Sequence, residues 1–167
     1  MKKLGFFGGC FNPPTVAHIE LIEKAIKENN LDMVYFVPMG DLYKKENLIL
    51  ANHRVNMLKL AIKEKMDILT ISVDSKKELQ AIDTFRIIQE KFNQSDNYFI
   101  MGSDNFEKIK FWKNSDELLN NYKYIILKRD NNISSSKVRD KVKNIEDVSQ
   151  FICKDVEHYI LENKLYK

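Results

Sequence analysis

A short glycine-rich segment near the N-terminus combines residue types that suit phosphate chemistry. Gly8 and Gly9 follow an apolar, strand-like run, and a helical pattern begins a few residues later. A turn between a first strand and a first helix presents backbone N–H groups to anions, and glycine lets a phosphate approach the main chain. Thr15 and His18 are three residues apart, so they share one face of that helix. A hydroxyl and an imidazole beside a helix N-terminus indicate a site for phosphoryl transfer.

Two later segments carry residues that suit nucleotide binding. Asp104 follows Gly102 at a predicted strand end, and its carboxylate can accept hydrogen bonds from a ribose diol, while Trp112 can stack on a heteroaromatic ring. The same Ser-Asp-Asn pattern is also typical of a helix cap. Residues 133–139 read Ile-Ser-Ser-Ser-Lys-Val-Arg and offer hydroxyls and N–H groups at a helix start, with the guanidinium of Arg139 nearby. Alone, this segment fits a cap followed by an exposed basic turn better than it fits a phosphate site.

Cationic residues also follow the second predicted strand. Lys44, Lys45 and Arg54 lie there, and charges at such positions usually point into solvent. Of these three residues we expect Lys45 to belong to the site. The loop that carries it begins at the end of the second strand, where the site is predicted. Cys10 and Cys153 form no CxxC pair, which argues against a zinc site and indicates reduced thiols.

The hydrophobic pattern predicts an α/β fold, with a single Rossmann-like, doubly wound and mostly parallel sheet followed by C-terminal helices. We predict strands at residues 4–7, 33–38, 68–73, 97–102 and 122–127. We predict a first helix from the glycine loop to residues 29–30, a second that begins at a cap at Asn52, a third from 83–84 to 92, and a fourth over 107–119. One or two further helices are predicted within 147–166, packed on the sheet. Ligands of such sheets bind beyond the carboxyl ends of the strands, where Gly8, Gly40 and Gly102 all lie.

Composition limits the class of protein. The chain of 167 residues predicts one domain over residues 1–167, and its charge of +3 from 27 basic and 24 acidic residues is too even for a nucleic-acid-binding surface. Its apolar runs fall short of the roughly 20 residues of a membrane span and of the roughly 7–15 of a signal peptide. We expect a soluble, cytoplasmic protein that acts on small molecules, with neither nucleic acid nor membrane as partner.

Residues 8–18 read Gly-Gly-Cys-Phe-Asn-Pro-Pro-Thr-Val-Ala-His. They resemble the nucleotidylyltransferase pattern Gly-Gly-Ser/Thr-Phe-Asp/Asn-Pro-x-His/Thr-x-Gly-His, with Cys10 and Ala17 as departures. Residues 133–139 resemble that superfamily's Ile-Ser-Ser/Thr-Thr-x-x-Arg. Because these motifs and those around Lys45, Thr84 and Trp112 follow in the same order, the whole chain resembles the bacterial nicotinate-mononucleotide adenylyltransferases.

The resemblance implies adenylyl transfer from ATP to nicotinate mononucleotide, with Mg²⁺ as cofactor and a dinucleotide and pyrophosphate as products. The metal would be held by phosphate oxygens and water, and by no protein ligand. The implied catalytic residues are His18, Thr15, Lys45 and Arg139. The implied ATP-binding residues are Gly8, Gly9, Cys10, Phe11, His18, Gly102, Asp104, Ile133, Ser135, Ser136 and Arg139. The implied acceptor-binding residues are Asn12, Lys45, Thr84 and Trp112.

Three departures from the family lie mainly where the acceptor base is recognised. Residues 41–44 replace a Pro-Pro-His, residues 80–81 replace a Tyr-Thr, and the segment between Arg129 and Ile133 is short. Several alternatives therefore stay open: a pantetheine-phosphate or nicotinamide-mononucleotide acceptor, a cytidylyltransferase, or a nucleotide-binding module without catalysis. The oligomeric state is open as well.

Overall fold

The computed structural model describes residues 1–128 and 132–167, so part of the short segment between Arg129 and Ile133 lies outside the described residues. Within those ranges, five strands form one all-parallel sheet in the order β3–β2–β1–β4–β5. The strands are β1 (Lys3–Gly9), β2 (Met33–Pro38), β3 (Met66–Ile68), β4 (Asp96–Gly102) and β5 (Lys123–Leu127). The chain moves from β1 outward to β3 and then returns to β4 on the other side of β1. This order confirms the doubly wound Rossmann-like fold and places the switch point between β1 and β4.

Helical segments alternate with the strands, as connections between parallel strands require. They are α1 (Val16–Asn29), α2 (Ala51–Ala61), α3 (Ala81–Lys91), α4 (Ser103–Lys108), α5 (Ser115–Asn121), α6 (Ser135–Lys143) and α7 (Lys154–Glu162), with a 3₁₀ turn at Ile109–Phe111. The predicted stop of α1 is confirmed at Asn30, which is left-handed at φ 52°. Asparagine tolerates that conformation and therefore ends helices well.

Both faces of the sheet are buried, as continuous apolar strands require. The neighbouring residues Phe6 and Phe7 point to opposite faces and are 1% and 2% exposed. Phe7 packs with residues of α1 and α2, whereas Phe6 packs with Ile82 of α3 and Leu118 of α5. The two layers make a rigid frame, and all five strands end at the same edge of it.

The C-terminal helices do not pack on the sheet, so that expectation is wrong. Val156 and Ile160 of α7 belong to a separate apolar cluster with Met57 of α2 and Val138 of α6. The tail thus covers helices rather than strands. It also reaches the start of α1, because Val16 N–H donates to the Phe151 carbonyl at 2.9 Å.

The predicted strand at 68–73 is also wrong, because the strand occupies Met66–Ile68 and a turn follows. The N–H groups of Val73 and Asp74 both donate to the Thr70 carbonyl, which closes that turn. The turn presses against Gly40: a Cβ there would lie 2.1 Å from the Ser72 carbonyl oxygen. Gly40 is therefore required by the close approach of two backbone segments.

Three helix boundaries also differ from those predicted. α2 begins at Ala51, whose N–H donates to the Asp41 carboxylate at 2.6 Å, so Asn52 is not its cap. α3 begins two residues before Asp83, which instead closes a capping box with Gln80. The predicted helix 107–119 is interrupted, because Asn114 adopts φ 57° immediately before α5.

Candidate active site

The glycine loop, residues 8–15, joins β1 to α1 at the carboxyl edge of the sheet. Phe11 is left-handed at φ 50°, and its ring lies over Gly9. A Cβ on Gly9 would lie 2.9 Å from that ring, whereas a Cβ on Gly8 would meet nothing nearer than 3.8 Å. Gly9 therefore makes room for the Phe11 ring, and Gly8 is the glycine with open space beside it.

Side chains from distant elements bind the carbonyl groups of this loop. Cys10 accepts from Arg54 Nη1 (2.9 Å), Asn12 from Arg139 Nη1 (2.9 Å) and Pro13 from Ser135 Oγ (2.7 Å). The negative ends of these peptide dipoles thus point into the protein. Since carbonyl oxygens repel phosphate oxygens, this arrangement favours an anion at the loop.

His18 is held in one tautomer by the residue that caps its helix. Its Nδ1 accepts from the Thr15 backbone N–H at 2.9 Å, and the Thr15 hydroxyl oxygen lies 3.0 Å from the same nitrogen. A ring nitrogen that accepts from an N–H carries no proton, so the neutral imidazole carries its proton on Nε2. The half-buried ring also stands edge-on to Phe11, with centroids 5.5 Å apart. His18 is therefore oriented to donate a hydrogen bond through Nε2.

Thr15 is occupied by this capping arrangement. Its side chain accepts from the His18 backbone N–H at 3.3 Å, and the residue is only 2% exposed. The structure favours a role in orienting His18, and a direct contact of Thr15 with the triphosphate stays a prediction.

The segment after β2 lies against the glycine loop. Lys45 Nζ is 3.8 Å from Cys10 Sγ, so the predicted lysine lies beside the loop as expected for a phosphate ligand. Asn12 is 3% exposed; its Nδ2 donates to the Asn47 carbonyl at 2.8 Å and its Oδ1 accepts from the Tyr166 hydroxyl at 2.9 Å. The amide of Asn12 is thus used to join parts of the protein, and its predicted contact with the acceptor remains a prediction.

Arg54 does not point into solvent, so the expectation for a charge after the second strand is wrong at this position. It is fully buried rather than solvated, and Nε donates to the Ile49 carbonyl at 2.9 Å while Nη1 holds Cys10. Its Nη2 lies 3.8 Å from an Asp41 carboxylate oxygen and has no hydrogen-bond partner among the described residues. Burial lowers the pKa of the guanidinium, although nearby Cys10 and Asp41 oppose that shift. A signal was present, since Arg54 shares its helical face with buried Met57 and Leu58.

The start of α6 lies next to the start of α1. Ser134 caps α6 by accepting from Lys137 N–H at 3.3 Å, and Ser135 reaches Pro13 of the glycine loop. Ile133 is half-buried and Ser136 is exposed. Two helix N-termini together with Lys45 and Arg139 thus surround one end of the loop. Partial positive charges of this kind suit a polyphosphate.

A cavity of about 460 Å³ opens on the α3 face of the sheet, beside the same loop. Its lining includes Gly8, Met39, Thr84, Phe85, Asn105 and Trp112. The structure therefore brings the predicted acceptor residues Thr84 and Trp112 together around one space that reaches Gly8. Gly102 is buried where β4 ends, and exposed Asp104 lies in the first turn of α4 near this edge.

The groups beside the glycine loop, two helix N-termini with Lys45 and Arg139, suit phosphate. Among residues 1–128 and 132–167, no three His, Cys, Asp or Glu side chains cluster as metal ligands. In the same ranges, no helix combines the length and apolar character needed to cross a bilayer.

Comparison with known proteins gives a consistent family. Residues 6–141 match the cytidylyltransferase-like family model. A Bacillus licheniformis protein named a probable nicotinate-nucleotide adenylyltransferase is 31% identical over 188 aligned positions, covering 100% of both chains. The Bacillus subtilis nicotinate-nucleotide adenylyltransferase is 29% identical, also with 100% of both chains covered.

The solved structures confirm the fold. A Plasmodium falciparum nicotinic acid mononucleotide adenylyltransferase complexed with NaAD superposes with a TM-score of 0.82 at 21% identity, covering 99% of this chain and 98% of the other. Together with the full-length relatives, this likeness confirms the nucleotidyltransferase recognised from the sequence motifs. The chain therefore belongs to the cytidylyltransferase-like family, among its nicotinate-nucleotide adenylyltransferases.

Proposed function

We propose that this chain transfers the adenylyl group of ATP to nicotinate mononucleotide, forming the deamido-NAD dinucleotide and pyrophosphate in NAD biosynthesis. The observation that carries the proposal is the geometry of His18, whose Nε2 proton is fixed by the Thr15 backbone beside the glycine loop. The names of the full-length relatives support the choice of acceptor.

The reaction requires no protein nucleophile. A 5′-phosphate oxygen of the acceptor attacks the α-phosphorus of ATP, a new P–O bond forms, and the bond to the bridging oxygen breaks as pyrophosphate leaves. The protein contributes positioning and stabilisation of charge on the phosphoryl oxygens. His18 Nε2–H donates to the α-phosphate, where negative charge is redistributed during attack.

The cations and the α6 start hold the rest of the triphosphate. Lys45, beside Cys10, neutralises phosphate charge. Ser135, Ser136 and Arg139 face the β- and γ-phosphates from the start of α6. Since Ser135 and one Arg139 nitrogen already bind loop carbonyls, these two residues connect the loop to the phosphates as well as binding them.

The cavity on the α3 face receives the acceptor base. Trp112 stacks on the pyridine ring, and Thr84, which lines the same cavity, contacts the acceptor. Asp104, just beyond β4, accepts from the ribose diol of ATP. Gly8 belongs to the glycine loop and also lines the cavity, so the two substrates meet at the switch point of the sheet.

Mg²⁺ enters this proposal as part of the substrate. Phosphate oxygens and water hold it, and when bound it neutralises triphosphate charge. The proposal also includes a single catalytic domain over residues 1–167, a cytoplasmic location, and no nucleic-acid partner.

An acceptor panel tests the function. The purified chain is incubated with ATP, Mg²⁺ and one acceptor at a time, and pyrophosphate release is measured for nicotinate mononucleotide, nicotinamide mononucleotide and phosphopantetheine. CTP replaces ATP in a parallel series. We expect release with ATP and nicotinate mononucleotide at the highest kcat/KM. ATP binding without pyrophosphate release from any acceptor would show a nucleotide-binding module, and preference for another acceptor would overturn the assignment.

A further inference from the structure

The last turn of the chain reaches back into the glycine loop. Tyr166 lies 154 positions from Asn12, yet its hydroxyl donates to Asn12 Oδ1 at 2.9 Å. Lys164 and Tyr166 are both left-handed, with φ of 52° and 61°. Non-glycine residues adopt this conformation at an energetic cost, and they keep it only where surrounding contacts determine it. The chain end is therefore bent to bring this hydroxyl to the loop.

Asn12 also binds the segment that carries Lys45. Its amide nitrogen donates to the Asn47 carbonyl at 2.8 Å, on the side opposite to Tyr166. Asn47 is two residues from Lys45, whose Nζ lies 3.8 Å from Cys10 Sγ. A continuous chain of hydrogen bonds thus runs from the C-terminus, through the loop, to the Lys45 segment.

The Tyr166 side chain is half-buried. Burial raises the pKa of Tyr166, although the nearby guanidinium groups of Arg139 and Arg54 act in the opposite direction. Both arginines also bind carbonyl groups of the glycine loop. Removing the hydroxyl would leave Asn12 Oδ1, itself in a 3% exposed residue, without this donor.

We propose that Tyr166 is a positioning residue for adenylyl transfer, which through Asn12 holds the segment 45–47, and with it Lys45, against the glycine loop. The inference rests on the proposed function for its kinetic consequences. Tyr166 touches no substrate; it acts by fixing where the lysine lies relative to the phosphates.

Tyr166→Phe tests this inference, because it removes one hydroxyl and keeps the ring. Tyr159→Phe is a matched control: that hydroxyl bonds His53 Nδ1 at 2.9 Å and Asn56 Nδ2 at 3.1 Å, away from the loop. We expect Tyr166→Phe to lower kcat/KM for ATP about tenfold, the equivalent of one lost hydrogen bond. Tyr159→Phe should keep wild-type kinetics even if its Tm falls by as much as that of Tyr166→Phe.

A double-mutant cycle with Lys45→Ala shows whether Tyr166 acts by positioning Lys45 or by stabilising the whole protein. In a Lys45→Ala background, the further change Tyr166→Phe should lower kcat/KM by less than about twofold, because the lysine that it positions is gone. An undiminished tenfold loss in that background would overturn the inference. So would wild-type kcat/KM in the Tyr166→Phe single variant.

Binding of α,β-methylene ATP, measured by calorimetry, distinguishes this inference from the proposed function. If the wild-type chain releases no pyrophosphate with any acceptor, the proposed function fails. The inference then stands if Tyr166→Phe alone weakens binding of the analogue about tenfold and Tyr159→Phe does not. Equal Kd values for the wild type and both variants would overturn it.

Discussion

Replacing Arg54 with methionine removes a fully buried guanidinium from beneath the glycine loop. The carbonyl oxygens of Ile49 and Cys10 then lose their donors at 2.9 Å. Both acceptors belong to half-buried residues, so the cost of about 1–3 kcal/mol for a buried acceptor without a partner is an upper limit for each. Two such losses predict at most about 2–6 kcal/mol of unfolding free energy. Release of a desolvated charge, whose pKa burial lowers, offsets part of this loss. We therefore expect destabilisation near the lower end, about 2–3 kcal/mol.

Urea unfolding followed by circular dichroism measures this free energy through linear extrapolation. Lys59→Met removes an exposed cation from the same helix and serves as the control, with an expected change within about 0.5 kcal/mol. Arg54→Lys keeps the charge without the planar fork and should fall between the two. An Arg54→Met protein as stable as the control would refute the reasoning that this guanidinium supports the loop.

Three further predictions concern the substrates and the sheet. His18→Ala should lower kcat by about 10²–10³-fold, because one oriented donor to the α-phosphate is lost. The protein should stay folded and lose only about 1 kcal/mol of unfolding free energy, since the Thr15 N–H loses its acceptor at the start of α1. Trp112→Ala should raise the KM for the mononucleotide about tenfold or more and leave the KM for ATP unchanged, since stacking on a base is lost. Hydrogen bonds from Lys123 and Tyr98 lower the pKa of Asp96, so its carboxylate stabilises the fold above its unfolded pKa. Asp96→Asn should therefore be less stable by at most about 1 kcal/mol at neutral pH, and this difference should vanish as pH falls through the folded pKa.

Each of these predictions has a contrary result. Near-full turnover in His18→Ala, or an unfolded variant, would count against the histidine assignment. If Trp112→Ala raised the KM for ATP alone, Trp112 would contact ATP and not the mononucleotide. A stability gap for Asp96→Asn that persists or widens in acid would show that the carboxylate acts through something other than its charge.

The parts of the fold that follow from local pattern were predictable from the sequence. The strand at 33–38 is a continuous apolar run closed by proline, and the structure has the same bounds. The glycine turn, the helix it opens, and the carboxyl edge where the site lies follow from the order of strands and helices. The prediction for residues 68–73 was wrong because a mostly apolar run has the same composition in a half-buried turn as in a strand.

The contacts that hold the site together depend on partners far away in sequence. Ser135 meets Pro13 across 122 positions, and the Tyr166 hydroxyl meets Asn12 across 154. No local periodicity indicates such pairs, so a motif could predict which residues belong to the site but not which of them bind the protein itself. Arg54 was partly predictable, since a charged residue on the apolar face of α2 must be buried with partners.

The orientation of the His18 ring toward the phosphorus under attack is the claim on which the chemistry depends. A crystal structure of the chain with α,β-methylene ATP and nicotinate mononucleotide tests it most directly. We predict that His18 Nε2 lies about 2.7–3.2 Å from an α-phosphate oxygen, with Nδ1 still accepting from the Thr15 N–H. A triphosphate bound away from the glycine loop, or an imidazole turned from the α-phosphate, would contradict it.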